Sequence, residues 1–186
     1  MATGRPLIWR FAACALAALA AACAAPADVR QMTAGAPAAA DGPLDPALRN
    51  AVCVELVDGG KKTNPLWVSE VDNRSFLDAL EASLANHGLL APNDESCRFG
   101  VEAHLLGLSQ PYISIDVEVT ANVNYRVRRP GAADLYLIRT ERAAYIERFT
   151  ADKPLWATRL KAANEGAVRK NIRSFIGALL ARAPEA

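Results

Sequence analysis

The most regular pattern in the chain runs from Ile113 to Arg128. Ile113, Ile115, Val117, Val119, Ala121, Val123, Tyr125 and Val127 are apolar, and every residue between them is polar. A period of two predicts a strand with one face on a core and the other in water or against a polar partner. Sixteen residues would extend for about 50 Å, long for a strand of a small domain, so the strand must bend or project. Arg129–Asp134 then reads as a hairpin loop, and Leu135 to Phe149 as the return strand. The start of that strand, Leu135-Tyr136-Leu137-Ile138, is apolar on both faces. Upstream, Val52, Val54 and Leu56 alternate with Cys53 and Glu55 as a first strand, and Phe99, Val101, Ala103 and Leu105 mark a second.

Two segments carry the helical period. Phe76, Leu77, Leu80 and Leu84 form a core-facing stripe in a helix capped by Asp72 or Asn73 and stopped by Gly88. The last helix begins near Asp152 and Pro154 and runs to about Arg182, with Leu160, Val168, Ile172, Phe175, Ile176 and Leu179 on one arc. The expected fold is α+β: a four-stranded, mostly antiparallel sheet with two helices on one face, in the order β-α-β-β-β-α, over residues 48–183.

The N-terminus has a different composition. Arg5 and Arg10 precede an apolar stretch from Phe11 to Ala22 that is too short for a membrane span, so residues 1–22 read as a secretory signal. Leu19-Ala20-Ala21-Ala22-Cys23 resembles a bacterial lipobox with the leucine one place early. Two outcomes follow: acylation of Cys23, or ordinary cleavage at a neighbouring Ala-x-Ala. Residues 23–47, rich in Ala, Pro, Gly and Asp, read as a lipidated N-terminus and flexible tether. Ala24, and not Asp, follows Cys23, which by resemblance to bacterial sorting rules points to the outer membrane with the domain facing the periplasm.

Composition then narrows the classes. Of 186 residues 21 are basic and 20 acidic, a net charge of +1 that argues against a nucleic-acid partner held by bulk charge. Of four cysteines, Cys14 lies in the signal and Cys23 is either the lipid site or cleaved off, which leaves Cys53 and Cys97 as an even pair for a disulfide in an oxidising compartment. A zinc or redox site with His87 and His104 is the weaker alternative, since no C-x-x-C spacing exists. Gly60-Lys61 lacks the remainder of a phosphate loop. No G-x-S-x-G, H-E-x-x-H, hexapeptide repeat or paired-carboxylate motif is present, so no catalytic residue, metal ligand or cofactor is assigned.

Two surfaces are candidates for partner contact. At the hairpin tip, Tyr136 and Ile138 share a face beside Arg126 and Arg128; the tip either tucks against the body or meets a partner or membrane. On the last helix, Arg159, Arg169, Lys170 and Arg173 border the apolar arc, as a solvated face or as a docking face for anionic lipid or an acidic partner.

A hairpin with Pro130-Gly131 and Asp134-Leu135-Tyr136 at its tip, then Asp152-Lys153-Pro154, Ala157 and a helix with Asn164-Glu165, resembles in topology small Gram-negative envelope lipoproteins. Among these are the lipopolysaccharide-assembly lipoproteins of the outer-membrane translocon. Arg159–Val168 resembles the C-terminal signature of a broad set of uncharacterised proteobacterial lipoproteins, and auxiliary lipoproteins of lipid ABC transporters share the general build. The resemblance implies a non-enzymatic accessory or docking subunit of envelope biogenesis, in lipopolysaccharide or lipid transport assembly. It would sit beside an outer-membrane barrel or transporter and be held to the membrane by its lipid. The alternative is a periplasmic lipid carrier with a pocket between sheet and helices.

Overall fold

Val117–Arg128 forms the long strand, and all six of its apolar positions are buried. The computed structural model describes residues 25–36, 44, 46–64, 69–112, 114–129 and 135–182. The expected signal peptide and Cys23 lie outside these. In chain order the elements are a one-turn helix α1 (Val29–Met32), β1 (Val52–Asp58), α2 (Asn73–Asn86), a 3-10 turn (Asp94–Ser96), β2 (Phe99–Ser109), β3 (Val117–Arg128), β4 (Leu135–Glu147) and α3 (Trp156–Ala181). The sheet order is β1-β2-β3-β4. β1 and β2 are parallel, so the chain must cross over between them, and α2 is that crossover. The other two pairs are antiparallel. α3 packs across β3 and β4, and α2 against β1. The α+β architecture is therefore the one the periodicity predicts.

Four local differences have physical causes. First, the long alternation stops being a strand before Val117. Val117 already faces the last residue of β4, Glu147, so Ile115 lies past the sheet and is exposed. Second, β1 shifts register between Val54 and Leu56, and this bulge turns Leu56 outward instead of in line with Val52 and Val54. The Glu55 carboxylate folds over Gly100, where any Cβ would collide with it. Third, β4 is irregular opposite Val127 and Arg128, so the adjacent residues Tyr136 and Leu137 are both buried. Fourth, Asp152 does not cap the last helix. The cap residue is Leu155, which offers no side-chain hydrogen bond. α2 is capped as expected: the Asp72 carboxylate accepts from the Ser75 amide, and Gly88 follows with a φ of +67°.

The core lies between the sheet and the helices. Tyr125 stacks on Phe175 at 4.0 Å between ring centroids, and Phe76, Leu80, Leu84, Leu160, Ile172 and Leu179 are fully or almost fully buried around them. Gly166 lets α3 approach β4, because a Cβ there would sit 2.5 Å from the Tyr145 ring. Cys53 and Cys97 form a disulfide spanning 44 residues of sequence, which ties β1 to the turn before β2. In the chain-entropy account a closure of that length contributes about 4 kcal/mol.

The expected tether needs correction. Residues 25–36 belong to the core cluster through Ala27, Met32 and Ala34. α2 and α3 touch each other little, and α1 packs against both. Few large apolar residues occur in this stretch, but a groove between helices requires only one well-placed methionine and small residues that let the backbone come close.

Candidate functional site

The segment just downstream of Cys23 is held by a polar cluster that joins three elements. Ser69 is its centre. Its hydroxyl donates to the Ala25 carbonyl (2.9 Å), and its own carbonyl accepts from Gln110 Nε2 (3.0 Å) and Asn164 Nδ2 (2.7 Å). Gln110 also donates to Asn164 Oδ1 at 2.9 Å, so the two amide side chains and the Ser69 carbonyl form a closed ring of bonds. One residue along α3, the Glu165 carboxylate accepts from the Asp28 amide (2.7 Å) and from Lys161 Nζ (2.5 Å). Asp28 in turn caps α1 by accepting from the Arg30 amide. Arg169 donates to the Gln31 carbonyl, Ser83 Oγ accepts from the Ala34 amide (2.9 Å), and Asn86 Nδ2 donates to the Ala34 carbonyl (3.0 Å). Asn164 and Glu165 are both buried. The pair singled out in the sequence thus acts as a clamp on residues 25–28. Unpaired, buried groups of this kind would be costly; satisfied, they fix one arrangement.

The sequence-derived partner residues separate into distinct environments. Arg126, Arg128 and Ile138 lie on the helix-free face of the sheet, where Arg126 stands opposite Ile138 and Arg128 lies 3.6 Å from Glu102. Ile138 is 53% exposed, whereas Tyr136 is only 7% exposed. The Tyr136 ring packs at 4.8 Å on Phe99, with Arg129 and Arg182 over it. The expectation that Tyr136 and Ile138 share an outward face is corrected: the irregularity in β4 places Tyr136 in the core.

The basic helix face also divides. Arg159 is buried, donates to the carbonyls of Lys153 (2.8 Å) and Pro154 (2.7 Å), and covers the Phe149 ring at 5.0 Å. It therefore staples the loop before α3 and is not a docking residue. Arg169 and Lys170 flank the Tyr145 ring, and Lys170 donates to the Ala144 carbonyl at 3.2 Å. Arg173 is exposed and lines, with His87, Ile176 and Leu180, a cavity of about 250 Å³ at the open end of the helix pair.

Other chemistry-bearing groups are accounted for locally. The sulfurs of Cys53 and Cys97 and the Glu55 carboxylate lie within 4.8 Å of one another, but the disulfide consumes both thiols and leaves a single ligand. His104 Nδ1 meets Asp58 at 2.5 Å across β1 and β2, and His87 Nδ1 contacts the Ser83 carbonyl.

A buried polar network in the core went unpredicted. Asn171 donates to the Ala121 (3.1 Å) and Glu141 (2.8 Å) carbonyls and accepts from the Tyr125 hydroxyl (2.9 Å), while Ser174 donates to the buried Glu141 carboxylate. Burial, and then the Glu141 charge, push the Tyr125 phenol well above its ordinary range. A signal for it existed in the sequence: Asn164 and Asn171 stand seven apart within the apolar stripe that holds Val168 and Phe175, where a polar side chain must find partners.

No family model matches the sequence, and no curated protein does. Solved structures are similar to it in overall build. A Xanthomonas campestris protein of the DUF330 family is 14% identical, over 74% of this chain and 89% of that one, with a TM-score of 0.48. The hypothetical protein CT253 from Chlamydia trachomatis is 13% identical, over 69% and 95% of the two chains, with a TM-score of 0.44. A minor lipoprotein from Acinetobacter baumannii is 13% identical, over 70% and 94%, with a TM-score of 0.41. No residue role is transferred from any of them.

Proposed function

We propose that this chain is a lipid-anchored lipoprotein of the Gram-negative envelope, held in the outer membrane by acylated Cys23. In this reading it acts without catalysis as an accessory or docking subunit in lipopolysaccharide or lipid transport assembly. The observation that carries the reading is the clamp. Ala25, two residues from Cys23, is bonded into the domain, so an acyl group on Cys23 would hold the folded body within a few ångströms' reach of the bilayer. One face of that body is the sheet surface without helices, where Leu56 and Ile138 are exposed near Arg126 and Arg128. This is the surface on which a barrel or transporter subunit would dock. The space that a lipid carrier would use is occupied by Tyr125, Phe76, Phe175 and Met32, all fully buried, which favours docking over carriage.

The test has two parts. Palmitate labelling is expected in the wild-type chain and lost in Cys23→Ser; labelling that persists in the variant ends the lipoprotein reading. In mild detergent the wild type is expected to bring down a stoichiometric envelope protein, and Ile138→Asp to lose it at nearly unchanged thermal stability. Copurifying lipid without protein would favour the carrier instead.

A further inference from the structure

We infer that the end of the domain nearest Ala25 is a bilayer-contact surface, seated in the membrane interface through the side chains of Tyr112, Ile115, Phe149 and Leu155. This rests on the anchored-lipoprotein reading and adds the orientation of the body to it.

Strand direction assembles the surface. β1 and β2 both finish at this end, β3 begins here and β4 finishes here, since Ser109 faces Thr120 and Val117 faces Glu147. The connections that gather here leave large apolar side chains in water: Tyr112 is 97% exposed, Ile115 77%, Phe149 52% and Leu155 47%. Residues of this type, gathered from separate loops at one end, form a patch that a folded protein normally covers.

Bonds between the loops make it a firm platform. Asp116 accepts from the Phe149 amide at 3.0 Å, and Arg159 joins Phe149 to the Lys153 and Pro154 carbonyls. The loop that carries Tyr112 is joined through Gln110 to Ser69, the same residue that holds Ala25.

The occupant follows from the chain. Two residues cannot span more than about 7 Å, so an acyl group on Cys23 brings the bilayer to this end of the molecule. The nearby charges are mixed, with exposed Lys61, Lys62 and Arg148 set against Asp116 and Asp152, so contact depends on the apolar and aromatic groups and not on anionic lipid. Tyrosine suits such a site, having an apolar ring and a hydroxyl that stays wet.

The experiment compares the full acylated protein, reconstituted in phosphatidylethanolamine vesicles with and without phosphatidylglycerol, with the same chain secreted from Ala24 through an ordinary signal peptide. Hydroxyl-radical oxidation of each side chain is read by mass spectrometry. Tyr112 and Phe149 are expected to be oxidised about five-fold less on both kinds of vesicle, as for groups buried in the interface, with Leu135 and Ile138 unchanged. Equal oxidation of Tyr112 and Phe149 in the bound and secreted forms, with acylation confirmed by mass, overturns the inference and leaves the anchor standing. Protection in native envelopes that is absent on pure lipid assigns the patch to a protein partner and also overturns it. A wild-type chain recovered without acyl groups removes the lipoprotein reading, and the inference with it.

Discussion

Tyr125 counts as an apolar residue in the alternating strand, yet its hydroxyl is the polar centre of the core. It donates to Asn171, which also holds carbonyls of β3 and β4. Burial, followed by the Glu141 charge, raises its phenol well above the ordinary value of 10.0, so folding favours the protonated form. The stability it contributes is complete below pH 10 and is lost as pH rises from there toward the raised folded value, by about 1.4 kcal/mol per unit for one proton. Urea unfolding at pH 10 and pH 11 should show a steeper loss for wild type than for Tyr125→Phe. At neutral pH that variant should be about 1–3 kcal/mol less stable, because Asn171 Oδ1 loses its donor. Identical slopes would show that the phenol does not titrate with unfolding. Asn164 and Glu165 illustrate the same limit on reading single residues. Their place on α3 is plain from the sequence, but their partners lie 95 and 137 residues away, at Ser69 and Asp28 respectively.

At the scale of elements, the hairpin between β3 and β4 shows where periodicity fails. Alternation places Tyr136 with Ile138 and opposite Leu137. One register shift near Val127 instead buries Tyr136 and Leu137 together and leaves Ile138 in water. Tyr136→Ala should therefore cost about 3–5 kcal/mol, as for loss of a buried aromatic ring, and Ile138→Asp less than about 0.5 kcal/mol. Thermal denaturation of the two single variants checks this, and a stable Tyr136→Ala would return that ring to the surface. The same cause moved Leu56 outward in β1. A bulge depends on how two strands meet, and neither strand's own pattern announces it.

For the whole molecule, the consequential difference concerns residues 25–36. Their composition suggests a chain too poor in large apolar groups to fold, yet Met32 and Ala34 are fully buried between α2 and α3. Met32→Ala should lower stability by about 2–5 kcal/mol, measured by denaturant titration, whereas a free leader would give no change. The strands, both main helices, their order and the disulfide pair were legible in the chain, because a period of two or 3.6 residues and an even cysteine count are local properties that a one-dimensional pattern records. The groove between α2 and α3 and the bulges in β1 and β4 were decided only by tertiary structure. So were the role of Arg159 as a staple and the exposure of Tyr112, Ile115, Phe149 and Leu155 at the end where β3 begins and β4 finishes. Each depends on surfaces brought together from distant parts of the chain, and burial of a residue is set by what comes to rest on it.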